Sequence, residues 1–136
     1  MDRVRDAMIA EPRSLPATAT AQQAGAVLTP AEVRAVYVVD DAGLLVGVVT
    51  RKTLVARVVA AGLDPSSTAL AEIAEEPHYV IGPDMGLEEA FRSMEERDAE
   101  RVPVVEGGRL IGVLSRAVVQ RRLAEDEEPP ELPPAA

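Results

Sequence analysis

Two short runs in this 136-residue chain gather groups able to hold an anion: Val49-Thr50-Arg51 and Leu114-Ser115-Arg116. In each, a hydroxyl and a guanidinium follow an apolar run and stand where a helix is expected to begin. Backbone N–H groups at a helix start point outward without partners. A hydroxyl, an arginine and those donors converging at a strand's carboxyl end make a competent phosphate site. The hydroxyl also has a structural role, since its oxygen can cap the helix by accepting from a backbone N–H. One oxygen can do both. The other reactive side chains form no catalytic set. Asp40-Asp41 precede Ala42-Gly43 and read as solvated turn formers, not as an acid–base pair. His78 stands alone beside Tyr79, and cysteine is absent. With neither a nucleophile–base pair nor a metal-ligating cluster, the inventory points away from an enzyme.

Both runs belong to longer copies of one sequence. Gly43-Leu44-Leu45-Val46-Gly47-Val48-Val49-Thr50-Arg51 returns as Gly108-Arg109-Leu110-Ile111-Gly112-Val113-Leu114-Ser115-Arg116. Gly47 to Gly112 is a step of 65, and the same step carries Glu11-Pro12 onto Glu76-Pro77. Glycines bracketing a β-branched run suit a buried strand entered from a tight hairpin. Residues 35–39 and 45–49 form one hairpin around Asp40-Asp41-Ala42-Gly43. Residues 102–105 and 110–114 form the other around Glu106-Gly107-Gly108.

The flanking segments supply the helices. Val4, Ala7 and Met8 recur at helical spacing over residues 2–9, and residues 14–17 read as extended. Thr20-Ala21-Gln22-Gln23 fits a capping box opening a helix to Leu28, with Pro30 starting a short continuation to Val33. Leu54, Val55, Val58 and Val59 make an apolar helical stripe closed by Gly62. In the second copy a short helix over 70–74, an extended segment over 79–81 and a helix capped by Asp84 precede the hairpin. The last of these carries Leu87, Ala90, Phe91 and Met94 on one face, and a final helix spans 117–124. Strand, helix, strand, strand, helix, given twice, predicts an α+β fold of two tandem βαββα units packed about a pseudo-twofold axis. The first unit, with the N-terminal helix, is 1–63 and the second, with the linker, is 64–124.

Each half is about 60 residues, near the lower limit for a self-sufficient core, so the halves are expected to share an interface. The formal net charge of -9 repels nucleic-acid phosphates, and Tyr37, Tyr79 and Phe91 are too few for a base-stacking platform. No apolar run approaches the ~20 residues of a membrane span, and no stretch has the pattern of a signal peptide. A cytoplasmic protein without nucleic-acid or membrane contacts is the expectation. Residues 125–136, rich in acid and proline, read as a disordered solvated tail.

Arg101-Val102-Pro103-Val104-Val105, then Gly108, then the run from Leu110 to Arg116, with the parallel run in the first copy, resemble a tandem pair of cystathionine-β-synthase (CBS) domains, the Bateman module, across residues 1–124. The resemblance implies a regulatory module that binds adenine nucleotides in clefts between paired units and dimerises into a flat disk. In the family a strand-ending Thr or Ser touches phosphate or ribose, which matches Thr50 and Ser115, with Arg51 and Arg116 beside them for phosphates. An Asp three residues later binds the ribose hydroxyls, but those positions hold Thr53 and Val118. The base pocket would lie at Val33 and Arg34 in one unit and at Ala99 and Glu100 in the other. There Arg34 would help a phosphate-bearing ligand and Glu100 would oppose it. The expectation is a stand-alone homodimeric regulator that senses AMP, ADP, ATP or S-adenosylmethionine, requires no cofactor, and signals to a protein partner. The alternative is a dimerisation or interaction scaffold of the same fold that has lost its ligand.

Overall fold

The chain runs α1 (Val4–Ala7), β1 (Ile9–Ala10), β2 (Ser14–Pro16), α2 (Ala21–Val27), β3 (Val36–Val39), β4 (Leu45–Val49) and α3 (Arg51–Leu54), which continues as a π-helical turn, Val55–Val59. It goes on through α4 (Leu70–Ile73), α5 (Leu87–Glu96), β5 (Arg101–Glu106), β6 (Arg109–Ser115) and α6 (Arg116–Asp126). The computed structural model describes residues 2–10 and 12–126. Its architecture is the expected α+β pair of units.

Each unit is organised on its hairpin. Strand alternation puts Val36, Val38 and Val49 of the first, and Val102, Val104 and Leu114 of the second, wholly inside. The turns are closed by Gly43 (φ 83°) and Gly108 (φ 81°), in a region that side chains with a Cβ rarely enter. These two turns also mark the symmetry. The Leu45 N–H donates to the Gly108 carbonyl (2.9 Å), and the Leu110 N–H donates to the Gly43 carbonyl (3.2 Å). The two bonds exchange residues one period apart, so a pseudo-twofold axis passes between the turns.

The units trade their outer segments. β1 pairs antiparallel with β6, joining Ile9 to Val113 and Ala10 to Gly112. In mirror fashion Val48 and Glu75 exchange both backbone hydrogen bonds, each 2.9 Å. On the opposite edges β2 runs parallel to β3, and Ile81 bridges Val104 in parallel. The helices follow their strands. Leu70 and Ile73 of α4 join the core of Val36, Val38 and Val49, while Val4 and Ala7 of α1 join the core of Leu87, Met94 and Leu114. The N-terminal helix, grouped by sequence with residues 1–63, therefore packs in the second core, and the linker helix packs in the first. An open strand edge and a four-residue apolar helix both need cover, and each hairpin obtains it from the segment preceding the other unit. Gly47 and Gly112 permit this crossing. A Cβ at Gly47 would lie 2.6 Å from Ala74 Cβ, and one at Gly112 would lie 2.7 Å from Met8 Sδ.

Several local expectations are corrected. The helix expected over residues 2–9 spans only Val4–Ala7, and Ile9 instead opens a two-residue strand with Ala10, because β6 offers them a ladder. Residues 30–33 make a turn closed by the Val33 N–H on the Pro30 carbonyl (3.1 Å), not a helix. Asp84 does not cap α5, whose N-cap is Gly86; instead it accepts from the Arg5 guanidinium at 3.1 Å and ties α1 down. The stripe after Leu54 is broken by the π-helical turn, which buries Val58 but leaves Val55 59% and Val59 72% exposed. Glu125 and Asp126, read as the start of the tail, belong to α6, and 127–136 lie outside the described residues. The box at Thr20 is present, with the Gln23 N–H on Thr20 Oγ1 (3.2 Å) and the Thr20 N–H on Gln23 Oε1 (2.8 Å).

Candidate functional site

The strand-end residues are held by their neighbours. The Thr53 N–H donates to Thr50 Oγ1 (3.3 Å) and the Thr50 N–H donates to Thr53 Oγ1 (3.0 Å), a reciprocal capping box that starts α3. Thr53 is fully buried, and its hydroxyl lies 3.4 Å from Glu75 Oε2. Arg51 turns back over α2 and donates to the carbonyls of Leu28 (2.6 Å) and Pro30 (2.7 Å), satisfying acceptors left at that helix's end. In the second unit Val118 has no oxygen to close a box with Ser115. Arg116 pairs with Glu100 (2.6 Å) and Asp98 (3.6 Å), the same reach across its own unit that Arg51 makes, but to carboxylates. Glu100 is thus a partner for Arg116. Arg34 is exposed in the loop before β3 and makes no ion pair among the described residues.

A cleft of about 890 Å³ opens between the units, away from the strand ends but lined by Ala99, one of the residues expected at a base pocket. Val48 and linker residues 74–79 line it, with Arg57 of the π-helical turn from one unit and Arg97, Ala99 and Arg101 from the other. None of the strand-end residues is part of this lining. Thr53 reaches it through Glu75. Three guanidinium groups, two carboxylates and the exposed His78 supply its polarity. Arg57 donates to the Ile73 carbonyl (3.2 Å) and stands 4.0 Å from Glu75 Oε1. Arg97 lies over the Tyr79 ring, 4.4 Å from its centroid, while the Tyr79 hydroxyl is fixed by Ser93 Oγ at 2.6 Å. Arg101 is near Tyr37, whose phenol is pushed up from its ordinary value by burial, with the Arg101 charge pulling the other way. Arg97 and Arg101 have no carboxylate partner among the described residues. Two such groups in one cleft can give an oxyanion forked, charge-assisted hydrogen bonds.

Sequence reasoning missed these residues for identifiable reasons. Arg101 alternates with the core residues Val102 and Val104, so strand period alone puts it on the face away from the core. Glu75 carries no such signal, because its place in the cleft depends on how the linker crosses β4, and Arg97 reads from sequence only as a residue at the end of α5.

A model of the CBS domain matches residues 4–60 and again 70–125. The chain belongs to the CBS-domain family. Over 94 residues this CBS pair is 32% identical to hypoxic response protein 1 of Mycobacterium tuberculosis, a match spanning 69% of this chain and 66% of that protein. Among solved structures it is similar to Hypoxic Response Protein I (HRPI) with two coordinated zinc ions, at 28% identity and a TM-score of 0.75 over 88% of this chain and 98% of the other. It is also similar to CBSX2 in complex with AMP, at 25% identity and a TM-score of 0.75 over 92% of this chain and 98% of the other. Among the described residues of this pair, no three His, Cys, Asp or Glu side chains gather as a metal site. No described helix is long and apolar enough to cross a membrane.

Proposed function

We propose that this CBS pair is a regulatory protein that senses an adenosine-containing anion in the cleft between its units and signals to a protein partner. The observation that carries the reading is the pair of guanidinium groups, Arg97 and Arg101, facing one cleft without acidic partners among the described residues. The AMP bound to CBSX2, a similar structure, supports an adenine nucleotide as the ligand class. AMP, ADP, ATP and S-adenosylmethionine are the candidates, as signals and not as cofactors. The same reading makes the protein a cytoplasmic homodimer without catalytic activity, the exposed Val55 and Val59 offering an apolar face for self-association. Its net charge of -9 argues against nucleic acid as a partner. Thermal melts with each candidate test the proposal. A ligand at a hundred times its Kd adds about 2.7 kcal/mol of stability, which should raise the melting temperature by several degrees.

A second reading, the ligand-free scaffold, is favoured by the strand-end residues. Arg51 and Arg116 are occupied locally, Thr53 is buried, and Val118 is apolar. It predicts no melting shift with any candidate at millimolar concentration, together with a concentration-dependent dimer.

A further inference from the structure

We propose that two copies of this CBS pair associate through the first unit alone, laying α3 and its π-helical turn antiparallel against the same element of the partner about a twofold axis, with α6 outside the contact. The inference rests on the homodimer reading above and names the face that serves it. Val55 and Val59 stand four apart and are exposed, as are Ala56, Ala60 and, past the turn at Gly62, Leu63. The π-helical turn lets one short element face two ways. Arg57 lines the cleft and donates to the Ile73 carbonyl, and Val58 is buried, while both valines stay outside. No ionisable side chain occurs from Val58 to Leu63, and Arg51 is held by the carbonyls of Leu28 and Pro30. The charges left on this surface stand one at each end, Lys52 and Asp64, both exposed. The Ser66 N–H and hydroxyl donate to Asp64 (2.9 and 2.8 Å) and hold its carboxyl below the ordinary carboxylate range, so it is ionised at neutral pH.

That order, a cation, an apolar stretch and an anion, is complementary to itself. A twofold axis reverses the second copy, so an axis beside Val59 sets each Lys52 toward the partner's Asp64 and covers the valines of both copies. Each copy carries a formal net charge of -9, so two copies repel over most approaches, and a surface without net charge is where they can meet. The second unit cannot offer the same face. The step of 65 carries Val55, Ala56, Val59 and Ala60 onto Gln120, Arg121, Ala124 and Glu125, all exposed on α6. A contact over α6 would have to desolvate Arg121 and Glu125 and would cover little apolar surface. A disk built equally from both units needs this face twice, and the chain has it once.

The chain lacks cysteine, so single-cysteine variants of the full-length protein report the geometry. Val59→Cys, beside the axis, should give a disulfide-linked dimer under a mild oxidant, seen by non-reducing electrophoresis, whereas Ala124→Cys at the equivalent place on α6 should not. Val59→Glu sets like charges across the axis and should raise the dimer dissociation constant about a hundred-fold or more by analytical ultracentrifugation, while Ala124→Glu leaves it unchanged. Both positions are exposed, and an unchanged far-UV circular dichroism spectrum shows that each variant is folded. A dimer that persists in Val59→Glu, one that Ala124→Glu dissociates equally, or cross-linking only in a mixture of the two cysteine variants would overturn the first-unit interface and leave the homodimer reading standing. A wild type that is monomeric at every concentration removes both.

Discussion

Replacing Gly47 by alanine tests the exchange of outer segments at its tightest point. The new Cβ would lie 2.6 Å from Ala74 Cβ and 3.1 Å from the Glu75 carbonyl oxygen. Neither atom is the end of a flexible side chain, so the linker itself must move from β4. Overpacking of this kind costs about 1–3 kcal/mol. For a domain of this size each kcal/mol lowers the melting temperature by about 4 °C, so a fall of about 4–12 °C is expected by circular dichroism. Gly112→Ala should be milder, because the nearest atom is Met8 Sδ at 2.7 Å and that side chain can rotate, although the Ile9 carbonyl at 3.0 Å sets a floor. Adding Ala74→Gly to Gly47→Ala removes the Cβ contact and should recover part of the loss, a coupling between adjacent residues. Gly82→Ala, with nothing within 4 Å and no left-handed backbone, should change stability by less than about 0.5 kcal/mol. If Gly47→Ala melts with the wild type while Gly82→Ala behaves as stated, the linker does not lie against β4 and the exchange is wrong.

Further outcomes follow from the same contacts. A fragment 1–63 lacks Leu70 and Ile73, which complete the first core, and strands α1 without its partners; it should show no cooperative thermal transition. A fragment 12–75 carries the whole first core and should show more ordered structure and a sharper transition, whereas a cooperative monomeric melt of 1–63 would remove the need for the exchange. Arg51→Ala strips hydrogen bonds from the carbonyls of Leu28 and Pro30 and should cost about 1–3 kcal/mol, read as a lower urea midpoint with an unchanged slope. A loss below about 0.5 kcal/mol would mean that Arg51 does not hold the end of α2.

The fold was legible because its strongest signals are local. Glycine-bracketed β-branched runs announced both hairpins, Thr20 and Gln23 announced a cap that is present, and the 65-residue step required two equivalent units. What the chain order hides is which hairpin an edge segment will cover. Val4 and Leu70 show helical spacing whichever core receives them, and only the open edges of β4 and β6 decide. The site was legible in chemistry more than in position. A hydroxyl and an arginine at each strand end read as anion-binding groups, but Arg51 is consumed by helix carbonyls and Arg116 by Glu100. The groups that face the cleft come from three separate stretches, Arg57, Glu75 and the turn that runs from Arg97 to Arg101, so no single motif joins them.

The central claim is that Arg97 and Arg101 hold the anionic end of a nucleotide between the units. A calorimetric titration of AMP at low ionic strength into the wild type and into Arg97→Ala/Arg101→Ala tests it most directly. Saturable binding to the wild type, weakened at least about ten-fold in the double variant, is the expected result, since a hydrogen bond to a charged group contributes about 1.5–3 kcal/mol. Absence of binding to the wild type at millimolar AMP, or the same affinity in both proteins, would contradict it.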